Sequence, residues 1–232
     1  ELRVYTFESL EKQKAFDEFM AKAMVPALNR AGVGPVGVFK MLQSDNAKLL
    51  TADSPKLWVL LPHKSAESFI MLGNRLAADA EFQKAGEAIL NAPQKQAAYQ
   101  RYESTLMLAF DGCPVVEVPT KASSRVMQLR TYESHNEERA KKKIQMFNEG
   151  GEIKIFRRCG MTPVFFGESL VGSKLPNLTY MLGFEDEQAM NKGWGAFGKD
   201  PDWKKISGDP EYKDTVCNIT NLVLRPGSSS QI

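Results

Sequence analysis

The sequence contains an internal repeat, and this feature restricts the possible fold more than any other. The segment Leu2-Arg3-Val4-Tyr5 recurs from position 129 as Leu129-Arg130-Thr131-Tyr132. Two further sets recur later in the chain: Arg30, Gly32, Pro35 and Val36 as Arg158, Gly160, Pro163 and Val164, and Leu57, Leu61, Asp79 and Lys84 as Leu178, Leu182, Asp200 and Lys205. Self-similarity at a nearly fixed period indicates duplicated structural units, so we predict two copies of about 100 residues each.

The hydrophobic pattern has the same order in both copies. In the first it predicts strands over 2–7, 36–41, 57–61 and 104–110, and helices over 11–31, 65–76 and 79–91. In the second it predicts strands over 126–132, 162–168, 178–184 and 217–224, and helices over 137–158, 186–197 and 201–207. A β-α-β-β-α-β order repeated twice predicts an α+β fold, in which two tandem ferredoxin-like copies form an α/β-barrel pseudo-dimer.

The same pattern sets the expected domain boundaries. We assign the first copy to residues 1–114, a linker to 115–124 and the second copy to 125–226. Residues 227–232 include Gly-Ser-Ser-Ser, a composition typical of a flexible tail.

The composition excludes several functional classes. Thirty Lys and Arg against 28 Asp and Glu give a net charge of +2, without the basic excess of a nucleic-acid-binding protein. No apolar run is long enough to predict a transmembrane segment. Three widely spaced cysteines and two histidines predict neither a disulfide framework nor a metal site. No Gly-x-Gly-x-x-Gly segment follows a predicted strand, the sequence has neither a P-loop nor a Gly-x-Ser-x-Gly motif, and we predict no cofactor.

The repeated Leu-Arg-x-Tyr segment supplies the first candidate site. Strand alternation places Arg3 and Tyr5 on one face, and Arg130 and Tyr132 likewise. We expect the aliphatic face of each strand to pack on the helices, so that the arginines and tyrosines point into the barrel. There the four side chains could hold a carboxylate or an enolate-like oxygen. The alternative is that glutamates or backbone groups satisfy them inside a packed interior.

Other candidates are weaker. His63 ends a predicted strand and could act as a general base, although only the first copy has it. Tyr180 belongs to an aromatic set that could line an apolar pocket or fill the core, with Trp58, Phe165, Phe166 and Trp194. The run Lys141-Lys142-Lys143 is typical of a solvated helix face.

Several blocks of the second copy resemble a known family. They are Leu129-Arg130-Thr131-Tyr132-Glu133-Ser134, Ile155-Phe156-Arg157-Arg158-Cys159-Gly160, Pro176–Leu182, Trp194-Gly195-Ala196-Phe197 and Asp200-Pro201-Asp202-Trp203. In this order they resemble the NIPSNAP family, and the whole chain resembles its tandem two-domain bacterial members. The resemblance implies a dimeric α/β-barrel fold with an internal pseudo-dimer, a possible homodimer, and an undefined biochemical role. Bacterial tandem members resemble exported proteins, so a periplasmic or otherwise exported form, starting at Glu1, is an expectation.

Three functions follow as hypotheses. The first is a NIPSNAP-like protein that binds a small ligand or a protein partner through its barrel. The alternative is a cofactor-independent oxygenase or isomerase acting on a small anionic or aromatic substrate in the barrel cavity, by analogy with the wider superfamily. The third is an oligomerisation module with a filled barrel.

Overall fold

The computed structural model describes residues 1–232 and contains eight strands and eight α-helices. The strands are β1 (Leu2–Thr6), β2 (Gly37–Lys40), β3 (Lys56–Leu60), β4 (Arg101–Ala109), β5 (Val126–Glu133), β6 (Thr162–Val171), β7 (Asn177–Phe184) and β8 (Asn218–Pro226). The helices are α1 (Leu10–Phe19), α2 (Val25–Arg30), α3 (Ala66–Ala78), α4 (Ala80–Leu90), α5 (Glu137–Asn148), α6 (Glu152–Arg158), α7 (Glu187–Phe197) and α8 (Pro201–Ser207). The predicted α+β class is therefore confirmed.

The hydrogen-bonded strand order is β1-β3-β2-β8-β5-β7-β6-β4, which closes as an antiparallel barrel. The chain divides into two compact units. Unit 1 contains residues 1–104 and 225–232, and unit 2 contains residues 105–224. None of the helices is long and apolar enough to cross a membrane.

Unit 1 is built on the antiparallel order β1-β3-β2, and residues 225–226 of β8 pair with the end of β2. The predicted helix over 11–31 is divided into α1, a π-helical turn over Met20–Met24, and α2. Pro26 lies at the start of α2, where a missing N–H costs least, so the helical path continues through it.

The C-terminal segment 227–232 is packed against unit 1, so the expectation of a flexible tail is wrong. The Gly227 and Gln231 amides donate to the carbonyls of Val38 and Val36. The Ile232 side chain is fully buried. Its polar composition indicated a mobile tail, but these backbone bonds and one buried apolar side chain hold the segment in place.

Unit 2 has the order β8-β5-β7-β6-β4, with long antiparallel ladders. In the central ladder Arg130 lies opposite Tyr180, and Tyr132 lies opposite Leu178. The predicted helix over 137–158 is interrupted between α5 and α6. Gly151 has a φ of 85°, a left-handed conformation that glycine adopts without steric cost, and this residue starts the second helix.

Similar ion pairs cap one helix in each unit. Asp79 accepts from the Phe82 amide at the start of α4, and the Arg30 guanidinium donates to Asp79 at 2.8 Å. At the equivalent positions, Asp200 accepts from the Trp203 amide at the start of α8, and Arg158 donates to Asp200 at 2.8 Å. These repeated residues therefore have a structural role in both units.

The orientation expected for the Arg/Tyr faces is wrong in both units. The Tyr5 ring lies 4.8 Å from Phe16 of α1, and the Tyr132 ring lies 6.1 Å from Phe147 of α5. The arginine and tyrosine therefore face the helices. The physical reason is that the tyrosine rings, which are the largest side chains on either strand face, bury more apolar surface against helix phenylalanines than the aliphatic side chains would.

Candidate functional site

The most unusual polar group in unit 2 is the guanidinium of Arg130, on β5. Its carbon lies 4.7 Å from the centre of the Trp194 ring of α7 and 5.4 Å from the centre of the Tyr132 ring. The Nε atom is buried and has no hydrogen-bond partner. No carboxylate lies within ion-pair distance of Arg130, so two aromatic faces hold a charge that no anion neutralises.

A buried ion pair lies next to this arginine. Lys143 of α5 donates to Glu152 of α6 with an Nζ–Oε2 distance of 2.7 Å, and the two side chains are only 5% and 2% exposed. The Lys143 ammonium also lies 4.6 Å from the centre of the Phe147 ring and 5.6 Å from that of Tyr132. The pKa of Glu152 is raised overall, because burial raises it more than the charges of Lys143 and Arg130 lower it. Tyr132 is therefore in contact with two cations.

Two buried tyrosines complete the cluster. The hydroxyls of Tyr132 and Tyr180 are hydrogen-bonded at 2.9 Å. Burial raises the pKa of both, and that of Tyr180 well above its usual value. Both hydroxyls are thus protonated at neutral pH, because deprotonation would leave a phenolate in an apolar environment, and one of them donates to the other.

The charges of this cluster do not balance. We call Arg130, Tyr132, Lys143, Glu152, Tyr180 and Trp194 the Arg130 cluster. Two cations and one carboxylate leave it with one excess positive charge. The half-buried guanidinium of Arg130 has no anionic partner, which costs free energy, so the arrangement favours binding of one anionic group.

Unit 1 shows the same strand position with its charge neutralised. Arg3 donates to Glu1 through two nitrogens, Nε to Oε1 at 2.6 Å and a terminal nitrogen to Oε2 at 3.1 Å. Ser104 also donates to Oε1, at 2.7 Å. Glu1 stands two residues before Arg3, on the same strand face. This bidentate carboxylate supports the alternative in the sequence analysis, that the protein itself satisfies the arginine of the first copy.

At the matching position of unit 2 the carboxylate is replaced by an amide. Gln128 stands two residues before Arg130, and its Oε1 accepts from the Trp194 indole at 2.6 Å. Its amide nitrogen donates to Asn221 at 2.9 Å. Gln128 therefore positions the tryptophan and leaves the arginine without a counter-charge.

The structure thus separates the predicted site residues into two groups. Arg130, Tyr132 and Tyr180 come together in unit 2. Arg3, Tyr5 and His63 lie in unit 1, where the Tyr5 ring packs 5.1 Å from that of Tyr102.

Sequence reasoning missed Lys143 and Glu152. The expectation that the whole run 141–143 is solvated is wrong for Lys143, which is buried. Helical spacing could have found it, because Ala140, Lys143 and Phe147 fall on one face of α5, three and four residues apart. Nothing in the local sequence pairs Lys143 with Glu152, since only the turn between α5 and α6 brings them together.

Cysteine chemistry is not favoured. Burial raises the pKa of Cys113 to about 11, and burial together with Asp200 raises that of Cys159. Arg158 lowers the pKa of the Cys159 thiol less than burial and Asp200 raise it, and Arg158 is itself paired with Asp200 at 2.7 Å. Neither thiol therefore has the thiolate character of a reactive cysteine.

Comparisons with known structures show the fold. A candidate monooxygenase from Fusobacterium nucleatum is 8% identical, with 97% of this chain and 90% of that chain covered and a TM-score of 0.59. Another from Lactobacillus acidophilus is 11% identical, with 98% and 92% covered and a TM-score of 0.55. An uncharacterised NIPSNAP-like domain protein from Burkholderia xenovorans is 19% identical, with 47% and 91% covered and a TM-score of 0.43.

No curated protein sequence matches this chain significantly. The NIPSNAP family model matches residues 127–231, which include Arg130, Lys143, Glu152 and Trp194. On this match residues 127–231 of the chain belong to the NIPSNAP family.

Proposed function

We propose that the Arg130 cluster binds a small monoanionic ligand, with a carboxylate on the guanidinium of Arg130. One observation carries the proposal: the Nε atom of Arg130 is buried and unpaired, in a cluster with one excess positive charge. Buried donors in proteins nearly always have partners, so an orphaned guanidinium nitrogen is best explained by a missing acceptor.

Unit 1 supplies a template for this acceptor. The Glu1 carboxylate binds the equivalent Arg3 through Nε and one terminal nitrogen. A ligand carboxylate with the same bidentate geometry would satisfy Nε of Arg130 and neutralise the excess charge. A phosphate dianion would bring a second negative charge for which the cluster has no matching cation.

The neighbouring side chains favour an aromatic or otherwise flat ligand. The rings of Trp194 and Tyr132 both face the guanidinium, and the Phe156 ring lies 5.7 Å from that of Trp194. Such surfaces pack well against a planar apolar group. Small aromatic carboxylates are therefore the expected ligand class.

The chemistry of the cluster favours binding over the oxygenase or isomerase alternative. The Glu152 carboxylate is held by Lys143, and both tyrosines are protonated, so no unpaired general base faces Arg130. The two structural neighbours named as candidate monooxygenases support the fold only, at 8% and 11% identity.

The tandem organisation is part of the same proposal. The repeated Leu-Arg-x-Tyr strands and the repeated Arg–Asp ion pairs support two ferredoxin-like copies, residues 1–114 and 125–226, joined by a linker over 115–124 as an internal pseudo-dimer. In the first copy Glu1 neutralises Arg3, and in the second copy Arg130 is left to bind a ligand.

The proposal is tested by isothermal titration with benzoate and with its neutral analogue benzamide. Benzoate is expected to bind wild-type protein and to raise its melting temperature, since a ligand at 100 times its Kd adds about 2.7 kcal/mol to the folded state. Benzamide is expected to bind at least about ten times more weakly, because it lacks the charge. Arg130→Gln should lose benzoate binding, and Arg130→Lys should recover it only partly, because lysine cannot form the bidentate contact.

Arg158→Gln is the matched control, because Arg158 is also an arginine of unit 2 but is paired with Asp200 and Asp202 on the surface. It should bind benzoate like the wild type. Equal benzoate affinity in wild-type protein and Arg130→Gln would contradict the proposal. It would also be contradicted if no member of a panel of small carboxylates bound the wild-type protein.

A further inference from the structure

A second polar network lies in unit 1, around His63, and it is independent of the Arg130 cluster. His63 follows β3, and its side chain is 6% exposed. Its Nε2 atom lies 3.0 Å from Oε2 of Glu1, and its Nδ1 atom lies 3.3 Å from the hydroxyl of Ser68 on α3. We propose that Ser68, His63 and Glu1 form an acyl-transfer centre that hydrolyses small carboxylic esters.

The network places each proton where this chemistry needs it. Burial alone would raise the pKa of Glu1, but hydrogen bonds from His63, Arg3 and Ser104 lower it to about 2, so the carboxylate is ionised. An ionised carboxylate only accepts hydrogen bonds, so the neutral imidazole tautomer that fits this geometry has its proton on Nε2 and donates it to Glu1. The lone pair of Nδ1 then faces the hydroxyl of Ser68, as a general base requires.

The position of Ser68 in its helix adds a means of stabilising negative charge. Ser68 is the third residue of α3, and the Ser65 hydroxyl caps this helix by accepting from the Ser68 amide at 3.2 Å. The amides of Ala66 and Glu67 belong to the first turn, where no intrahelical acceptor exists. Donors at a helix N-terminus favour an oxyanion, and here they stand one turn or less from the nucleophile.

The surroundings limit the size of the substrate. Ser68 itself is buried, but the four residues that separate it from His63, 64–67, are all exposed. The nucleophile therefore lies directly beneath the surface of unit 1. The half-buried Phe69 ring borders this position, 5.6 Å from the His63 ring, so we expect short acyl groups to be accepted better than long acyl chains.

The second copy shows that the fold does not require these three residues. Leu57 corresponds to Leu178, and on this alignment the capping residue Ser65 corresponds to Asp186, which caps α7 in the same way. His63 then corresponds to Phe184 and Ser68 to Ala189, and Glu1 corresponds to Gln128. The second copy thus forms the same elements without a base, a nucleophile or a carboxylate. These elements of the fold therefore do not depend on a histidine at position 63 or a serine at position 68.

The reaction balances without any co-reactant but water. The Ser68 oxygen attacks the ester carbonyl and its proton passes to Nδ1 of His63. The bond from the carbonyl carbon to the alcohol oxygen breaks, and the alcohol leaves with that proton. Water then attacks the acyl-serine, its proton passes through His63 to Ser68, and the carboxylic acid is released. Glu1 is a positioning residue that holds the imidazole and stabilises the imidazolium.

The test uses p-nitrophenyl acetate as substrate and a small alkyl fluorophosphonate as covalent probe. Wild-type protein is expected to hydrolyse the ester above the buffer rate, and mass spectrometry of digested, labelled protein should find the phosphonyl group on Ser68. Ser68→Ala and His63→Phe introduce the residues of the second copy, and each should lower kcat/KM at least about 100-fold. His63→Gln replaces His63→Phe if the latter does not fold.

Glu1→Gln tests the positioning role. It should lower kcat at least about tenfold with KM within about twofold, since it changes the imidazole tautomer and not the acyl contacts. Ser9→Ala, which removes the cap of α1, is the control and should hydrolyse the ester like the wild type. Labelling at another residue, no hydrolysis above buffer, or a folded Ser68→Ala variant with the wild-type rate would overturn the proposal. Benzoate binding at Arg130 is unaffected by any of these outcomes.

Discussion

Replacement of Lys143 by methionine is expected to destabilise the protein by about 3–5 kcal/mol, the cost of breaking a buried ion pair from one side. Lys143 and Glu152 are joined at 2.7 Å, with side chains 5% and 2% exposed. Without Lys143 the Glu152 carboxyl must either remain charged in an apolar environment or take up a proton. Urea denaturation at pH 7 measures the loss, provided that the slope of the transition is unchanged.

The double variant Lys143→Met/Glu152→Leu separates the ion pair from the packing. Two apolar side chains of similar volume leave no buried charge, so we expect it to recover most of the lost stability. Lys142→Met is the matched control on the same helix. Lys142 pairs with Glu211 at the surface, and its loss should cost at most about 1 kcal/mol. Equal effects of the Lys142 and Lys143 substitutions would show that the buried pair contributes nothing particular.

Acid is expected to weaken unit 1 through Glu1. The pKa of Glu1 is lowered from 4.5 to about 2 in the folded protein, since His63, Arg3 and Ser104 all favour its ionised form against the opposing effect of burial. A lowered folded pKa contributes stability that is complete above pH 4.5 and is lost as the pH falls toward 2. Between pH 6 and pH 3 this single carboxylate should account for about 2 kcal/mol of lost stability.

The measurement compares wild-type protein with Glu1→Gln in urea at several pH values. Other carboxylates also titrate, and those of Asp79 and Asp200 have lowered pKa values as well, but they are common to both proteins. The stability difference should therefore shrink as the pH falls from 6 to 3. A constant difference would mean that Glu1 has an ordinary pKa in the folded state and that its bond to Arg3 contributes little.

One arginine position has two outcomes in this chain. Arg3 meets a carboxylate from its own strand, whereas Arg130 meets the amide of Gln128, which is held by Trp194 and Asn221. The change from glutamate to glutamine removes the counter-ion and keeps the strand geometry. Conversely, unit 1 keeps His63 and Ser68, where unit 2 has Phe184 and Ala189. The residues of unit 2 at these positions therefore supply the substitutions that test the roles of Glu1, His63 and Ser68 in unit 1.

Part of the candidate site could be read from the sequence, because strand alternation is a local property. It put Arg130 and Tyr132 on one face, and the structure confirms that they lie together. The partners that make the arginine unusual are distant in sequence. Trp194 comes from α7 and Lys143 from α5, and no local pattern indicates which helix residues cover a given strand residue.

The direction of that face shows why local reasoning is incomplete. Each face of β5 carries two apolar or aromatic residues and two polar ones, so hydrophobicity alone did not decide which one packs on the helices. The structure places the tyrosine face there, since Tyr132 fits among Phe147 and Tyr180. Arginine accompanies tyrosine as a consequence of strand alternation, and its charge is accommodated by aromatic rings.

The sequence by itself determined the order of strands and helices, the α+β class and the resemblance to the NIPSNAP family, because periodicity and motif order are properties of neighbouring residues. Only the tertiary structure decided which arginine is neutralised, which lysine of the run 141–143 is buried, and that His63 lies between Glu1 and Ser68. These properties depend on contacts between residues far apart in the sequence, such as Glu1 and His63, which are 62 positions apart, and the free energy of a buried charge is set by what surrounds it.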